Sequence, residues 1–365
     1  MRTDPTHVYY NVRIQNADPA GRDKACSFRE TRTVPIVTNP SEYYLSCVRF
    51  QIPTSRIPLL VVPVQPYPNT DPTRTIYAVT LSHGGQDSTV WVRWTPNETL
   101  AGIPIQPKLP LSAASPFQDA SDGYYYCRSY VQMMEMVNLA LQQAWDLLVS
   151  RPPGALGPPY LTYDAATKLF SFHCDASFDV NAADHISLYF NNDLYALFGA
   201  FNHILDTSFV GEKNRQILLS PPAAQSPSPV FEFRQEYSTL VSWVGFRSVV
   251  ITSGTIPVES EGIPAASPYF SNTNLQATGT PTFLNIISDY DALTNEGYEE
   301  FQASIQYTPK GEYRLTDLVG TQPLTSFDIS VFWLDAFGGL HPLFIAPNEC
   351  ATFKFMFRKR SFNRG

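Results

Sequence analysis

Charged side chains are scarce in this 365-residue sequence, at 16% against roughly a quarter in an average soluble protein. Clustered positive charge is scarcer still. The net charge is −8, and the one dense basic run is Arg358-Lys359-Arg360, followed by Arg364. A chain that wraps nucleic acid by counterion release presents many grouped Lys and Arg. A short run after a strand reads instead as a solvated end that discourages edge pairing. No genome-packaging arm and no strong nucleic-acid signal follow from it. Five cysteines (Cys26, Cys47, Cys127, Cys174, Cys350) are scattered, with no CxxC pair. That argues against a zinc ribbon and a redox motif and leaves free, mostly buried thiols in a reducing compartment as the expectation. The first residues, Met1-Arg-Thr-Asp-Pro5, hold no apolar core of a signal peptide, and Asn97-Glu98-Thr99 then reads as a chance sequon. No apolar run approaches the ~20 residues that a membrane-spanning helix needs.

Catalytic signatures are missing as well. The phosphate-cradling GxxxxGK[ST] and GxGxxG, the zinc-binding HExxH and the nucleophile elbow GxSxG are all absent. The histidines (His7, His83, His173, His185, His203, His341) include no pair at helical metal spacing. His173-Cys174-Asp175 is the nearest thing to a reactive cluster. On a strand its His and Cys point to opposite faces, so adjacency does not make them a base and a nucleophile. Asp289, Asp291, Glu296, Glu299 and Glu300 crowd together, and a glycosidase needs two carboxyls ~5–9 Å apart. Their Asn- and Gly-bearing context suits solvated turn residues, and the DxDxDG calcium pattern is not there. No catalytic, cofactor-binding or metal residue is assigned, no cofactor is expected, and the chain does not read as an enzyme.

What is abundant is apolar and aromatic. Hydrophobic residues make up 44% and aromatics 13%, with 24 Phe and 20 Tyr, and 31 Pro outnumber 19 Gly. Few charges beside many rings lean toward surface that a partner covers, because interface cores lose charge and gain aromatics; the alternative is a large β domain whose rings all sit in its own core. Strand-like alternation dominates. It covers residues 8–14 and 43–52, then Ile57–Val64, Ile76–Leu81 and Val90–Trp94, with prolines at turns and edges between them. One helix stands out at 129–149, where Tyr130, Met134, Val137, Leu141, Trp145 and Leu148 share a face. A hairpin follows at 159–175, with its turn at Asp164-Ala-Ala-Thr-Lys168. Residues 191–201 form an N-capped short helix, and strands resume at 230–233 and 239–250. Thr95–Gly123 and Pro257–Pro281 read as long exposed loops, and Leu219–Val230 as a linker. Near the C-terminus Phe327, Ile329, Val331 and Trp333 alternate with polar residues. Ala351, Phe353, Phe355 and Phe357 do the same, as in antiparallel strands with one dry face. The fold class is therefore mainly β: a jelly-roll β-sandwich with an inserted α/β module. Residues 1–126 and 205–365 form the discontinuous β domain and 127–204 the insertion. No internal repeat is found.

Several blocks carry a resemblance. They are FRETRTVPIVTNPSEYYLSCVRFQIPTSRIPLLVVP (28–63), YLTYDAATKLFSF (160–172), ISLYFNNDLYALFGAF (186–201), NIISDYD (285–291), SIQYTPKGEYRLTDL (304–318), FDISVFWLDAFGGLHPLFI (327–345) and ATFKFMFRK (351–359). In this order and spacing the chain resembles minor capsid, or penton-type, proteins of small tailless double-stranded DNA viruses, the virophage and polinton-like group. The resemblance runs from about Tyr9 to Lys359. It implies a virion protein that packs as a homo-oligomer, a pentamer at icosahedral vertices, beside major capsid proteins, with no cofactor and no catalytic residues. A ring of copies closes through heterologous interfaces, which suits aromatic-rich, charge-poor sides, and a host receptor is a further partner. Synthesis in the host cytoplasm goes with this reading. Two alternatives stand beside it. A major capsid protein with two jelly rolls would show two successive strand sets, which the helical module interrupts. A receptor- or carbohydrate-binding β module would need clustered Trp, Tyr or Asp in the long loops, which hold few.

Overall fold

Alternating strands with one apolar face bury that face by packing against another sheet or a helix, and the chain does both. In the computed structural model, described for residues 5–65, 68–95, 125–206, 212–220, 229–243, 246–263, 282–291, 304–308, 314–335 and 338–360, two compact units emerge. One comprises residues 1–58, 245–267 and 275–365, and the other 59–244 with 268–274.

The first unit is a two-sheet sandwich. In one five-stranded sheet His7–Gln15 lies beside Cys350–Lys359, then Tyr43–Pro53, then Ser304–Tyr307, with Thr316–Asp317 also on Tyr43–Pro53, all antiparallel. The N- and C-terminal strands are thus neighbours, so this unit is built from both ends of the chain. The other sheet runs Ile286–Asp291, Phe246–Thr252, Ser326–Asp335 and Leu340–Pro342, with Ser27–Thr31 also on Ser326–Asp335. The alternation expected near the C-terminus is present: Phe327, Ile329, Val331 and Trp333 are buried, as are Ala351, Phe353, Phe355 and Phe357. Rings from both sheets meet between them. Phe327 lies 4.4 Å from Tyr10 and 5.3 Å from Phe355, and Phe50 lies 4.8 Å from Tyr290. Each such pair adds about 0.5–1.5 kcal/mol beyond area burial.

Asp328 shows how the outward side of this sheet is held. Its carboxylate accepts from Ser253 Oγ (2.5 Å), Gly254 N (3.0 Å), Thr255 N (2.8 Å) and Thr255 Oγ1 (2.6 Å). Partial burial works against ionisation, yet the donors outweigh it and hold the carboxyl below its ordinary value of 3.8. A depressed carboxylate contributes stability that is fully present above its unfolded pKa and lost as pH falls through the folded one. We expect Asp328→Asn to cost about 2 kcal/mol at pH 7 and to flatten the acid limb of the stability curve below its ordinary pKa. Urea melts at neutral and acid pH read this directly, and an unchanged acid limb in the variant contradicts it.

The second unit is mixed α/β. A five-stranded sheet runs His203–Leu205, Arg215–Ile217, Ser187–Phe190, Arg74–His83, Gln86–Arg93, and a three-stranded one runs Phe231–Arg234, Leu169–Cys174, Tyr160–Asp164. The helix Tyr130–Leu147 packs on Arg74–His83, Gln86–Arg93 and Tyr160–Asp164. Ser129 caps it by accepting from Gln132 N (3.1 Å), while Gln132 Oε1 accepts from Arg128 N (3.1 Å), a variant of the capping box. Its buried face is wider than the expected stripe and takes in Met133, Met136, Ala140, Ala144 and Gln132, because sheet and hairpin both contact it. Asn191 caps the short helix Asn192–Phe198, accepts from Leu194 N (3.0 Å) and Ala78 N (3.1 Å), and donates to Ile76 O (2.7 Å). One side chain so ties a helix start to a strand.

Two expectations differ from what is found. The second compact unit takes in 59–244, where the sequence suggests a module over 127–204, since Arg74–His83 pairs with Ser187–Phe190 and Leu169–Cys174 with Phe231–Arg234. The strand expected at 239–250 begins only at Phe246. Leu240–Trp243 coils instead into a 3-10 turn, tied down where Thr239 Oγ1 (2.6 Å) and the Trp243 indole (2.9 Å) both donate to Leu197 O. The expected loop at 95–123 lies outside the described residues apart from Thr95, as do 221–228 of the expected linker. Of the 257–281 loop, Glu261–Ile263 is a strand paired with Thr282–Leu284.

Candidate assembly surfaces

The reactive-looking residues do not converge. His173 lies outward on its strand, stacked on Tyr160 at 4.9 Å and hydrogen-bonded to Thr162 Oγ1 at 2.8 Å, while Cys174 is buried. Of the acidic group, Glu296, Glu299 and Glu300 lie outside the described residues. Asp289 and Asp291 project from the strand Ile286–Asp291, with Asp289 paired to Arg314, which also reaches Glu261 at 3.1 Å. Among the described residues, no group of three or more His, Cys, Asp or Glu is placed to hold a metal ion. All five cysteines are free and only Cys350 is partly exposed. Burial pushes the thiols of Cys26, Cys47 and Cys127 up to about 12 and that of Cys174 higher, so they stay un-ionised at neutral pH. No helix among the described residues is long and apolar enough to cross a membrane.

The basic run near the C-terminus is engaged within its own unit. Lys359 pairs with Glu42 (3.1 Å), and Arg360 pairs with Asp317 (2.5 Å) while stacking over Tyr44 (4.7 Å). These contacts tie Lys359 and Arg360 to neighbouring elements, where the sequence suggests a solvated end, while Arg358 is exposed; Arg364 lies outside the described residues.

Surfaces suited to packing against other proteins are of two kinds. The second unit exposes apolar side chains on the helix Tyr130–Leu147 and just beyond it (Val131, Leu139, Leu147, Val149). It also exposes Ile204 and Leu205 on His203–Leu205, an outermost strand of its five-stranded sheet. An edge strand with apolar side chains and unpaired backbone groups is a template for pairing unless it is covered. The first unit exposes Val34, Phe283 and Phe344. The periodicity of the sequence marked the buried stripe of the helix but gave no sign of the apolar residues on its other side.

The second kind is polar. On the sandwich, the side of the terminal-strand sheet that faces away from the core bears Asn11, Arg13, Arg49, Gln51, Gln306 and Lys354 around a shallow depression of about 490 Å³ that Tyr307 also lines, with Tyr9 exposed beneath Lys354. Strand register sets Lys354 opposite both Asn11 and Arg49, and Thr352 opposite both Arg13 and Gln51.

Comparison with known proteins agrees with this architecture. Residues 8–359 match a family model described as Sputnik minor capsid protein V18/19. The structural protein V19 of Sputnik virophage is 29% identical over 217 residues, covering 55% of this chain and 94% of that protein. The uncharacterized protein V18 of the same virophage is 39% identical over 156 residues, 42% of this chain and 91% of that protein. Among solved structures, a chain of the Sputnik virophage determined by cryo-EM superposes with TM-score 0.83 at 30% identity, over 99% of this chain and 100% of that one. The mavirus penton protein shares the fold with TM-score 0.65 at 17% identity, over 98% of this chain and all of that one.

Proposed function

The chain belongs to the Sputnik minor capsid protein V18/19 family and is a structural component of a virion capsid, and from that premise we propose that it forms a pentamer at the icosahedral vertices. The observation that carries the vertex placement is the fold shared over 98% of the chain with a protein named as the mavirus penton. Physical features support a ring. A heterologous interface buries one patch of a copy against a different patch of the next, and the exposed apolar positions along Tyr130–Leu147 and on the edge strand His203–Leu205 are patches of the required kind. Low charge and high aromatic content suit the same role.

In this reading the protein holds its place in the shell by packing. It is made in the host cytoplasm, where its buried thiols stay reduced, sits beside major capsid proteins, and catalyses nothing. Native mass measurement of the purified chain tests the placement. A mass of five copies is expected at micromolar concentration, and Ile204→Glu with Leu205→Glu is expected to shift it toward single chains. A trimer moves the assignment to a major capsid subunit, and a persistent monomer overturns self-assembly into a ring.

A further inference from the structure

Four of the five strands of this sheet, His7–Gln15, Tyr43–Pro53, Ser304–Tyr307 and Cys350–Lys359, contain not one Asp or Glu, and the fifth, Thr316–Asp317, holds a single carboxylate paired with Arg360, in a chain whose net charge is −8. Arg13 and Arg49 are exposed and Lys354 half-exposed on the face turned from the core. Among the described residues none of the three forms an ion pair with a carboxylate. Lys354 lies over the Tyr9 ring at 4.7 Å, which orients the amine without neutralising it. Register places Lys354 directly opposite Arg49. Like charges opposite one another across an antiparallel pair oppose sheet formation, so the sheet tolerates a repulsion that a bound anion would relieve.

From this juxtaposition we infer that the outer face of the terminal-strand sheet is a docking surface for the phosphate backbone of nucleic acid, read without regard to sequence. The side chains between the cations decide for phosphate over a protein partner. Asn11, Gln51, Gln306 and Thr352 are amides and a hydroxyl, the groups that with Arg and Lys contact phosphate and sugar. A protein interface would centre on exposed aliphatic or aromatic side chains; around these cations no aliphatic side chain is exposed, and the one exposed ring, Tyr9, lies under the Lys354 amine. The surface differs from a basic arm. Its cations come from three strands far apart in sequence, and only the sheet gathers them.

The inference stands apart from the vertex placement, because a subunit that fails to form pentamers can still bind a duplex on this face. Fluorescence anisotropy of the purified full chain with a labelled 30-base-pair DNA of arbitrary sequence tests it. Three phosphate contacts predict a slope of about −2.7 in log K against log salt, or about 40-fold weaker binding at 200 mM than at 50 mM. The variant Arg13→Gln/Arg49→Gln/Lys354→Gln is expected to bind at least about tenfold more weakly, with the slope flattened. It should melt no lower than the parent, since a like-charge opposition is removed. A control with the same change in net charge, Arg22→Gln/Arg93→Gln/Arg234→Gln, alters exposed cations that already have carboxylate partners and is expected to bind as the parent does. Absence of duplex binding by the parent overturns the inference. Equal loss in the control overturns it too, and so does a triple variant that loses self-assembly while keeping DNA affinity, which would assign the face to a protein.

Discussion

Alanine at Trp243 is expected to cost about 3–5 kcal/mol, the largest single effect foreseen in the α/β unit. Trp243 is almost wholly buried, and its ring lies 5.2 Å from Tyr130, 5.6 Å from Phe170 and 5.0 Å from Phe198. It thereby joins the first turn of the long helix, the central strand of the hairpin sheet and the last turn of the short helix. Truncation leaves a cavity that these three elements cannot close together, since each is also tied elsewhere. Trp243→Phe keeps most of the contact. It gives up the indole bond to Leu197 O, an acceptor still served by Thr239 Oγ1 at 2.6 Å, so a loss of about 1–2 kcal/mol is expected. Urea denaturation of both variants measures the pair. A Trp243→Ala loss below that of Trp243→Phe would show that the ring is not the packing centre of this unit.

How Trp243 comes to that position could not be seen in the sequence, and the reason is physical. Local alternation reports which side of a strand is dry, and that much held for Phe327–Trp333, for Ala351–Phe357 and for the helix stripe from Tyr130 to Leu148. Alternation carries no information on which strand is the neighbour. By composition Arg74–His83 groups with the flanking β stretches. Its partner Ser187–Phe190 lies more than a hundred residues on, so the compact unit came out as 59–244. The run 239–250 looked like one strand because Leu240, Val241 and Trp243 are strand formers. Hydrogen bonds from Thr239 and Trp243 to one carbonyl override that preference. The basic sheet face was hidden for the same reason as the unit boundary: Arg13, Arg49 and Lys354 are isolated in sequence and adjacent only through register.

The resemblance succeeded where pattern reading stopped, since it rested on the order of whole strand-and-turn blocks, which encode topology. Minor capsid membership followed from those blocks. The residues that would join one copy to the next left no such trace, because an exposed Leu139 or Ile204 looks like any residue of a helix or strand.

The other large effect is expected at Asp335, and it distinguishes a buried network from a simple turn. Past the strand Ser326–Asp335 the chain turns back, with Asp335 N donating to Gly339 O at 2.9 Å. The carboxylate does more than shape the turn. It is wholly buried, accepts from Gly339 N at 2.7 Å and meets His341 Nε2 at 2.9 Å, while the imidazole lies stacked on Trp333 at 4.1 Å. Gly339 is required by this closeness, for a Cβ there would come within 2.5 Å of the Asp335 carboxylate. Asp335→Ala removes the buried carboxylate that the imidazole and the Gly339 amide both meet inside the sandwich, which costs about 3–5 kcal/mol. His341→Ala leaves the carboxylate without its imidazole partner, and a similar loss is expected. If the two groups act as one network, removing both costs clearly less than the sum, by about 1–3 kcal/mol, because the second substitution removes a group the first had already orphaned. Chemical denaturation of the two single variants and the double measures that coupling. Strict additivity would mean that each residue is held by its backbone partners and by Trp333 alone, and the pair would then be two neighbours with no shared energy.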